Sequence, residues 1–361
     1  MQRRRFLTLA GAGGAVLAAP AVAQEAPVVN WRMPSSFPRS LDTVWGAAEF
    51  LAARVSALTD GKFSIRPFSA GELVPPLQVL DAVQNGTTEC GHTAGFYYLG
   101  KEPALVFDTG VPFGLTPRQH TAWLQHGGGQ ALIDELYARF NALAIPCGNT
   151  GAQMGGWFRK EINSPDDLKG LRIRTPGLLS MVYEKLGAIP QQVAGSDIYP
   201  ALEKGALDAV EFVGPYDDEK LGFAKVARYY YGPGVLELGA SLCLAINRDS
   251  WAKLPPRYQE ALRAASTSAA ADLLAKYDAN NIPALKRLVG QGVKLKAWPP
   301  EVMHAMQRAT RDVLEDYAAK SPSFAKVLAS WRAFRADQLL WASVNDGAAE
   351  NYLMATREKG L

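Results

Sequence analysis

Apolar and polar positions along the chain repeat with two periods. Residues 28–33 read as a short β-type run, and after Ser40 apolar side chains recur at Leu41, Val44, Trp45, Ala48, Leu51, Ala52 and Val55. Steps of three and four put these on one helix face, with Gly61 as the stop. Phe63 and Ile65 alternate with polar neighbours up to Pro67, the mark of a strand, and Leu77, Leu80 and Val83 give a second helical face closed by Asn85-Gly86. With a further strand over 88–93, the order β-α-β-α-β predicts a mainly parallel sheet covered by helices on both faces.

A similar unit recurs as a strand over 171–174, helices over 178–186 and 200–204, and a strand over 206–213. Two α/β lobes of this kind would meet at a cleft, with ligand groups at the carboxyl ends of their strands. From about 249 onward the pattern is helical, over 251–289, 300–319 and 323–357. In the last stretch Leu328, Trp331, Phe334, Leu339 and Trp341 exceed what one helix face needs. That excess predicts docking either on the chain's own lobes or on a partner chain.

The first 23 residues differ in kind. Arg3-Arg4-Arg5 precede a weakly apolar run from Phe6 to Leu17 and end at Ala21-Val22-Ala23. This is the pattern of a signal peptide cleaved after Ala23, of the twin-arginine or the general secretion type, and it predicts a periplasmic protein. No later apolar run approaches the 18 residues of a membrane span. Without these 23 residues the chain carries 35 basic and 35 acidic side chains, net zero, and no run of four Lys or Arg. Nothing in that charge pattern holds nucleic acid or an anionic membrane. Cys90, Cys147 and Cys243 are widely separated and read as buried small side chains, and the four histidines lack metal-ligand spacing.

An exported hydrolase is the rival class. His126-Gly127-Gly128-Gly129 resembles an oxyanion loop, but the chain has no G-x-S-x-G elbow, and the adjacent Asp217 and Asp218 cannot flank one scissile bond. A binding site is better supported. Alternation along Leu171-Arg172-Ile173-Arg174 puts Arg172 and Arg174 on one face of a strand ended by Thr175-Pro176-Gly177. An arginine at a strand's carboxyl end in a cleft offers a planar fork to a carboxylate, each charge-assisted bond being worth roughly 1.5–3 kcal/mol.

Several motifs together carry a family resemblance. They are the signal peptide, Ser69-Ala70-Gly71-Glu72-Leu73, Gln153-Met154-Gly155-Gly156-Trp157-Phe158-Arg159, Asp167-Leu168-Lys169-Gly170-Leu171-Arg172-Ile173-Arg174, and Gly214-Pro215-Tyr216-Asp217-Asp218-Glu219-Lys220. The chain resembles the solute-binding proteins of TRAP (tripartite ATP-independent periplasmic) transporters, most closely the branch binding 2-oxo acids such as pyruvate, or lactate, with a metal ion. The resemblance implies an α/β, two-lobed periplasmic solute-binding protein of class II-like form with long C-terminal helices. Lobe I is expected over 24–150 plus about 242–300 and lobe II over 151–241, with a helical segment over 301–361 that includes a candidate dimerisation helix.

The same resemblance implies Arg174 as the carboxylate clamp, with Gln153, Asn149 and Tyr98 also at the substrate and Tyr97 competing with Tyr98. It implies Gln153, Glu211, the backbone carbonyl of Phe212, and Glu237 as ion ligands. All are oxygen donors, which suits a hard cation. The resemblance implies sodium, whereas two site carboxylates, one arginine and one monocarboxylate sum to minus two, which calcium would cancel. The branch usually has Trp where this chain has Phe212. Implied partners are a small carboxylate and the membrane permease subunits, with no enzymatic step. A dicarboxylate, aromatic acid or sugar acid remains an alternative ligand.

Overall fold

The computed structural model describes residues 27–234 and 238–357. The signal peptide and Glu237 lie outside these residues. Among the described residues the strands form three sheets. β1 (Val29–Pro34) and β2 (Phe63–Phe68) pair in parallel. β3 (Cys90–Thr93) and β4 (Ala142–Asn149) flank β10 (Ser241–Asn247), and a bridge between Ser35 and His92 joins this sheet to the first. The remaining strands are β5 (Gly156–Phe158), β6 (Arg172–Arg174), β7 (Ile189–Gln191), β8 (Ala209–Val210), β9 (Tyr229–Gly232) and β11 (Lys294–Ala297). They form one sheet in the order β11-β9-β5-β8-β6-β7.

The sheets are mixed, not mainly parallel as the sequence pattern predicts. β10 runs antiparallel to both β3 and β4, and β5 runs antiparallel to both β8 and β9. The chain's path explains this. The neighbours of β5 and β10 end at the cleft, whereas β5 and β10 begin there, just after the chain has crossed from the other lobe. Those crossings follow Asn149 and precede Ser241. A third runs along the helix Pro256–Gly290, about 50 Å long at 1.5 Å per residue, and delivers the chain to β11. β11 pairs with β9, from Lys294 opposite Tyr229 to Ala297 opposite Gly232, so this stretch belongs to the second lobe's sheet and not, as expected, to the first lobe.

The helix Val44–Leu58 buries Val44, Trp45, Ala47, Ala48, Leu51, Ala52 and Val55, the stripe the periodicity predicts. The helical run expected over 251–289 is two helices, Arg248–Ala252 and Pro256–Gly290, because Pro255 and Pro256 cannot donate the backbone bonds that would fuse them. The run over 323–357 likewise breaks at Asn345, between Pro322–Val344 and Asp346–Thr356. The C-terminal segment is shared between the lobes. Helix Pro300–Lys320 sits by helix Gly177–Lys185, with Lys185 paired to Asp316 at 2.8 Å. Helix Pro322–Val344 instead packs Phe324 and Trp331, with tilted rings, against Phe107 of the first lobe, at 5.0 and 5.8 Å between ring centres. All three cysteines are free and buried, and no described helix is long and apolar enough to cross a membrane.

Candidate binding cleft

Arg174 closes β6, where register places it beside Val210 of β8 and Gln191 of β7. It is 1% exposed. Its Nη1 donates to the Glu211 backbone carbonyl at 2.6 Å and its Nε to the Val193 carbonyl at 3.0 Å, while the Glu211 N–H donates back to the Arg174 carbonyl at 2.9 Å. These bonds fix the guanidinium plane and leave Nη2 without an acceptor among the described residues. Arg174 also makes no ion pair among them, unlike Arg172, whose fork is bidentate to Asp208 at 2.7 and 2.8 Å. A buried cation without a counter-charge is costly, so the site calls for an anion.

Glu211, also 1% exposed, and Phe212 follow β8 directly. The Phe212 ring packs under the guanidinium, 5.3 Å from its carbon, and edge-on to Phe223 at 6.2 Å. Gly195 makes room for that ring, since a Cβ there would lie 3.2 Å from its edge. Gln153 comes from the crossing after β4. Its neighbour's N–H, on Met154, donates to the Val213 carbonyl at 2.9 Å, and its own carbonyl accepts from Gly234 at 2.9 Å. A Cβ on Gly234 would stand 2.3 Å from that carbonyl oxygen, so only glycine permits the approach. The backbone thus ties the Gln153 stretch to Val213, two residues after Glu211, and to Gly234.

The Gln153 side chain donates from Nε2 to Thr150 Oγ1 at 3.0 Å, and its Oε1 is buried with no hydrogen-bond partner. An orphaned buried amide oxygen is a group a hard cation takes as a ligand, and the stretch that bears it is bonded to the one that follows Glu211 and Phe212. Among the described residues no three His, Cys, Asp or Glu cluster as a metal site, so an ion here would rely on neutral oxygens as well as Glu211.

Two expected contact residues have their oxygens engaged within the protein. Tyr98 is buried in the first lobe, where its hydroxyl accepts from the Leu80 N–H at 3.0 Å and bonds Thr93 Oγ1 at 2.8 Å, so it is spent within the core. Its neighbour Tyr97 faces the other lobe, its carbonyl accepting from Gln192 Nε2 at 2.9 Å. Asn149 Oδ1 accepts from the Gly151 N–H at 2.9 Å and so caps the crossing. Two hydroxyls not singled out as site candidates from the sequence adjoin the site. Thr175, next to Arg174, and Tyr183 are buried with their oxygens unpartnered. Burial, then the Glu211 charge, pushes the Tyr183 hydroxyl pKa up. Thr175 was legible as a polar residue ending the clamp strand, whereas Tyr183 sits in a helix whose pattern marks it only as core.

A match to the family model for bacterial extracellular solute-binding proteins, family 7, spans residues 35–321. The chain belongs to that family. It is a solute-binding protein of the TRAP transporter class, two-lobed, with long C-terminal helices. It is 50% identical over 331 residues to a monocarboxylate 2-oxoacid-binding periplasmic protein of Nostoc sp., covering 92% of this chain and 91% of that one. A TRAP solute-binding protein from Bordetella bronchiseptica is 49% identical, with a TM-score of 0.91, covering 92% of this chain and 99% of that one. Its crystal structure is a mixed-occupancy dimer with calcium and picolinate in one active site. One from Pseudoalteromonas atlantica, 36% identical with a TM-score of 0.87, covers 90% of this chain and 98% of that one and holds sodium and pyruvate.

Proposed function

We propose that this TRAP solute-binding protein captures a small monocarboxylate, a 2-oxo acid such as pyruvate, together with sodium or calcium, and hands it to the membrane permease. The buried Arg174 guanidinium, which makes no ion pair among the described residues, carries this reading. Its Nη2 and Nη1 edge takes the ligand carboxylate, while Gln153 Oε1, Glu211 and the Phe212 carbonyl would hold the cation, with Glu237 as a further ligand. The ion neutralises Glu211 and can share the acid's carboxylate and 2-oxo oxygens. Tyr97, rather than Tyr98, borders the ligand from the first lobe, and the Asn149 Nδ2 is what remains of that side chain for a ligand.

No bond is made or broken in this mechanism. The lobes close on the ligand, water leaves, and each charge-assisted bond strengthens in the drier site. The lobes divide at the crossings, 24–150 with about 242–290 against 151–241 with β11. Export by the N-terminal signal delivers the chain to the periplasm. Calorimetry with pyruvate, lactate, succinate and picolinate, in sodium, in calcium and after chelation, tests the proposal. Pyruvate should bind best and only with an ion present, and equal binding of a dicarboxylate, or ion-independent binding, would refute it.

A second copy of the chain is the proposed partner of the terminal helices. Leu340 and Val344 are 71% and 72% exposed, beside exposed Trp341, Leu353 and Met354. A groove of about 610 Å³ on the first lobe, lined by Pro117, Thr121, Leu124, Ile145, Ala270 and Leu274, offers them an apolar seat.

A further inference from the structure

Outside the cleft, Asp217 occupies a position that ligand binding does not explain. It is fully buried in the short helix Pro215–Leu221, which leads straight on from Glu211 and Phe212. Its Oδ1 accepts from Thr43 Oγ1 at 2.5 Å and its Oδ2 from the Tyr277 hydroxyl at 2.5 Å. Thr43 precedes the first long helix of lobe I, and Tyr277 lies in the helix that spans the lobes. Around this centre the same two segments meet again. Tyr216 OH donates to Asp42 at 3.1 Å, Lys220 pairs with Asp42, and Lys276 Nζ donates to the Asp42 carbonyl at 3.0 Å. The next residue, Asp218, turns the other way and accepts from Trp157 Nε1 at 2.9 Å and Tyr230 OH at 2.7 Å, fixing the helix to β5 and β9. One rigid turn therefore joins the ion-ligand loop, the second lobe's sheet and the first lobe's leading helix.

We propose that Asp217 is a positioning residue that latches the closed form. Its bond to Thr43 holds lobe I against the loop of Glu211 and Phe212 and slows ligand release without touching the ligand. The inference rests on the binding reading above for its ligand, but not for its geometry. A carboxylate accepting from two hydroxyls in a dry site is strongly directional, so losing one donor weakens the junction, where the Asp42 contacts remain, while leaving each lobe's own core intact.

Thr43→Val, which keeps the side chain's shape, and Asp217→Asn are the variants. Stopped-flow tryptophan fluorescence on the full mature chain, with pyruvate and sodium, reads association and dissociation separately. Thr43→Val should raise the dissociation rate about tenfold with association within twofold of wild type. The double variant should release no faster than the faster of the two single variants, since both act on the one contact between Thr43 and residue 217. Unchanged dissociation in Thr43→Val, or additive effects in the double variant, would overturn the latch. So would a drop in ligand-free thermal stability with no change in release, which is the mark of a merely structural role. If Asp217→Asn does not fold, Thr43→Val decides alone. If wild type binds no 2-oxo acid, the functional reading has failed, and small-angle X-ray scattering of the ligand-free protein still tests the latch. Thr43→Val must then be measurably more open than wild type, and an identical profile would sink it.

Discussion

At the residue scale the decisive feature is the Arg174 guanidinium, held by two backbone carbonyls and in no ion pair among the described residues. Lysine at this position would keep the charge but lose the fork, since one ammonium cannot span the Val193 and Glu211 carbonyls and a ligand carboxylate at once. Arg174→Lys is expected to weaken pyruvate binding by about 2 kcal/mol, roughly 30-fold, in calorimetry at fixed sodium. Affinity within threefold of wild type would show that the clamp lies elsewhere. Gly195→Ala tests the pocket wall. Its Cβ would press on the edge of the Phe212 ring, which also packs against Phe223 and under Arg174. A severalfold loss of affinity is expected, larger for picolinate than for pyruvate, with the folded state otherwise intact. Strand alternation points to Arg174, whereas Glu211 and Gln153 come to notice only through the family resemblance of their motifs. The choice between Tyr97 and Tyr98 was not readable, because adjacent aromatics in a tight turn carry no periodicity, and only the Leu80 N–H and Thr93 hydroxyl show which one faces inward.

At the scale of elements, the helix Pro215–Leu221 holds two buried carboxyls whose ionisation the fold opposes. Burial raises the Asp218 pKa to about 7 and the Asp217 pKa to about 6, and it raises Asp108 to about 6 beside the Tyr137 hydroxyl. A carboxyl raised above its unfolded value near 3.8 stabilises the fold fully below that value and ceases to do so as pH rises through the folded pKa. Asp218 should therefore make the protein more stable at pH 5 than at pH 7.5, by about 2 kcal/mol if its shift is fully expressed. His92 works in the opposite sense. Burial lowers its pKa to about 3, so its contribution is present above about 6.5 and fades as pH falls. Thermal scans of wild type and Asp218→Asn at pH 5 and 7.5 separate the two. The variant should lose the extra stability at pH 5, a change of a few degrees in the difference between its midpoints, and a parallel pair of curves would contradict the assignment. The helices were legible from their apolar stripes, Val44–Leu58 above all. The strand expected over 206–213 shrinks to Ala209–Val210, because Glu211, Phe212 and Val213 turn out of the sheet to build the site. Function, not propensity, sets that boundary.

At the scale of the whole molecule the sequence reading already places two crossings, near 150 and 240, but the third, along Pro256–Gly290 to β11, escaped it, since that one depends on which sheet a strand joins and not on the strand's own pattern. The terminal helices are a different case, because their excess of apolar residues was visible and the structure shows that it is not spent at home. Phe324, Val327, Leu328 and Trp331 are buried against the first lobe, but beyond Asn345 no residue of the last described helix is buried. Isolated exposed leucines are ordinary on a protein surface, whereas Leu339, Leu340, Trp341 and Val344 crowd one end of one helix. Arg118, at the rim of the first-lobe groove, pairs with Asp346 at the start of the last helix, so receptor and insert lie close enough in one chain for two copies to exchange them symmetrically. Charges placed on the insert should then dissolve the pair without disturbing the cleft, which is built from other elements. Leu340→Glu combined with Trp341→Glu is expected to halve the mass measured by light scattering at micromolar concentration while leaving the pyruvate affinity within threefold. A wild-type protein that is already monomeric under those conditions, or a double variant that keeps the dimer mass, would show that these helices serve another surface.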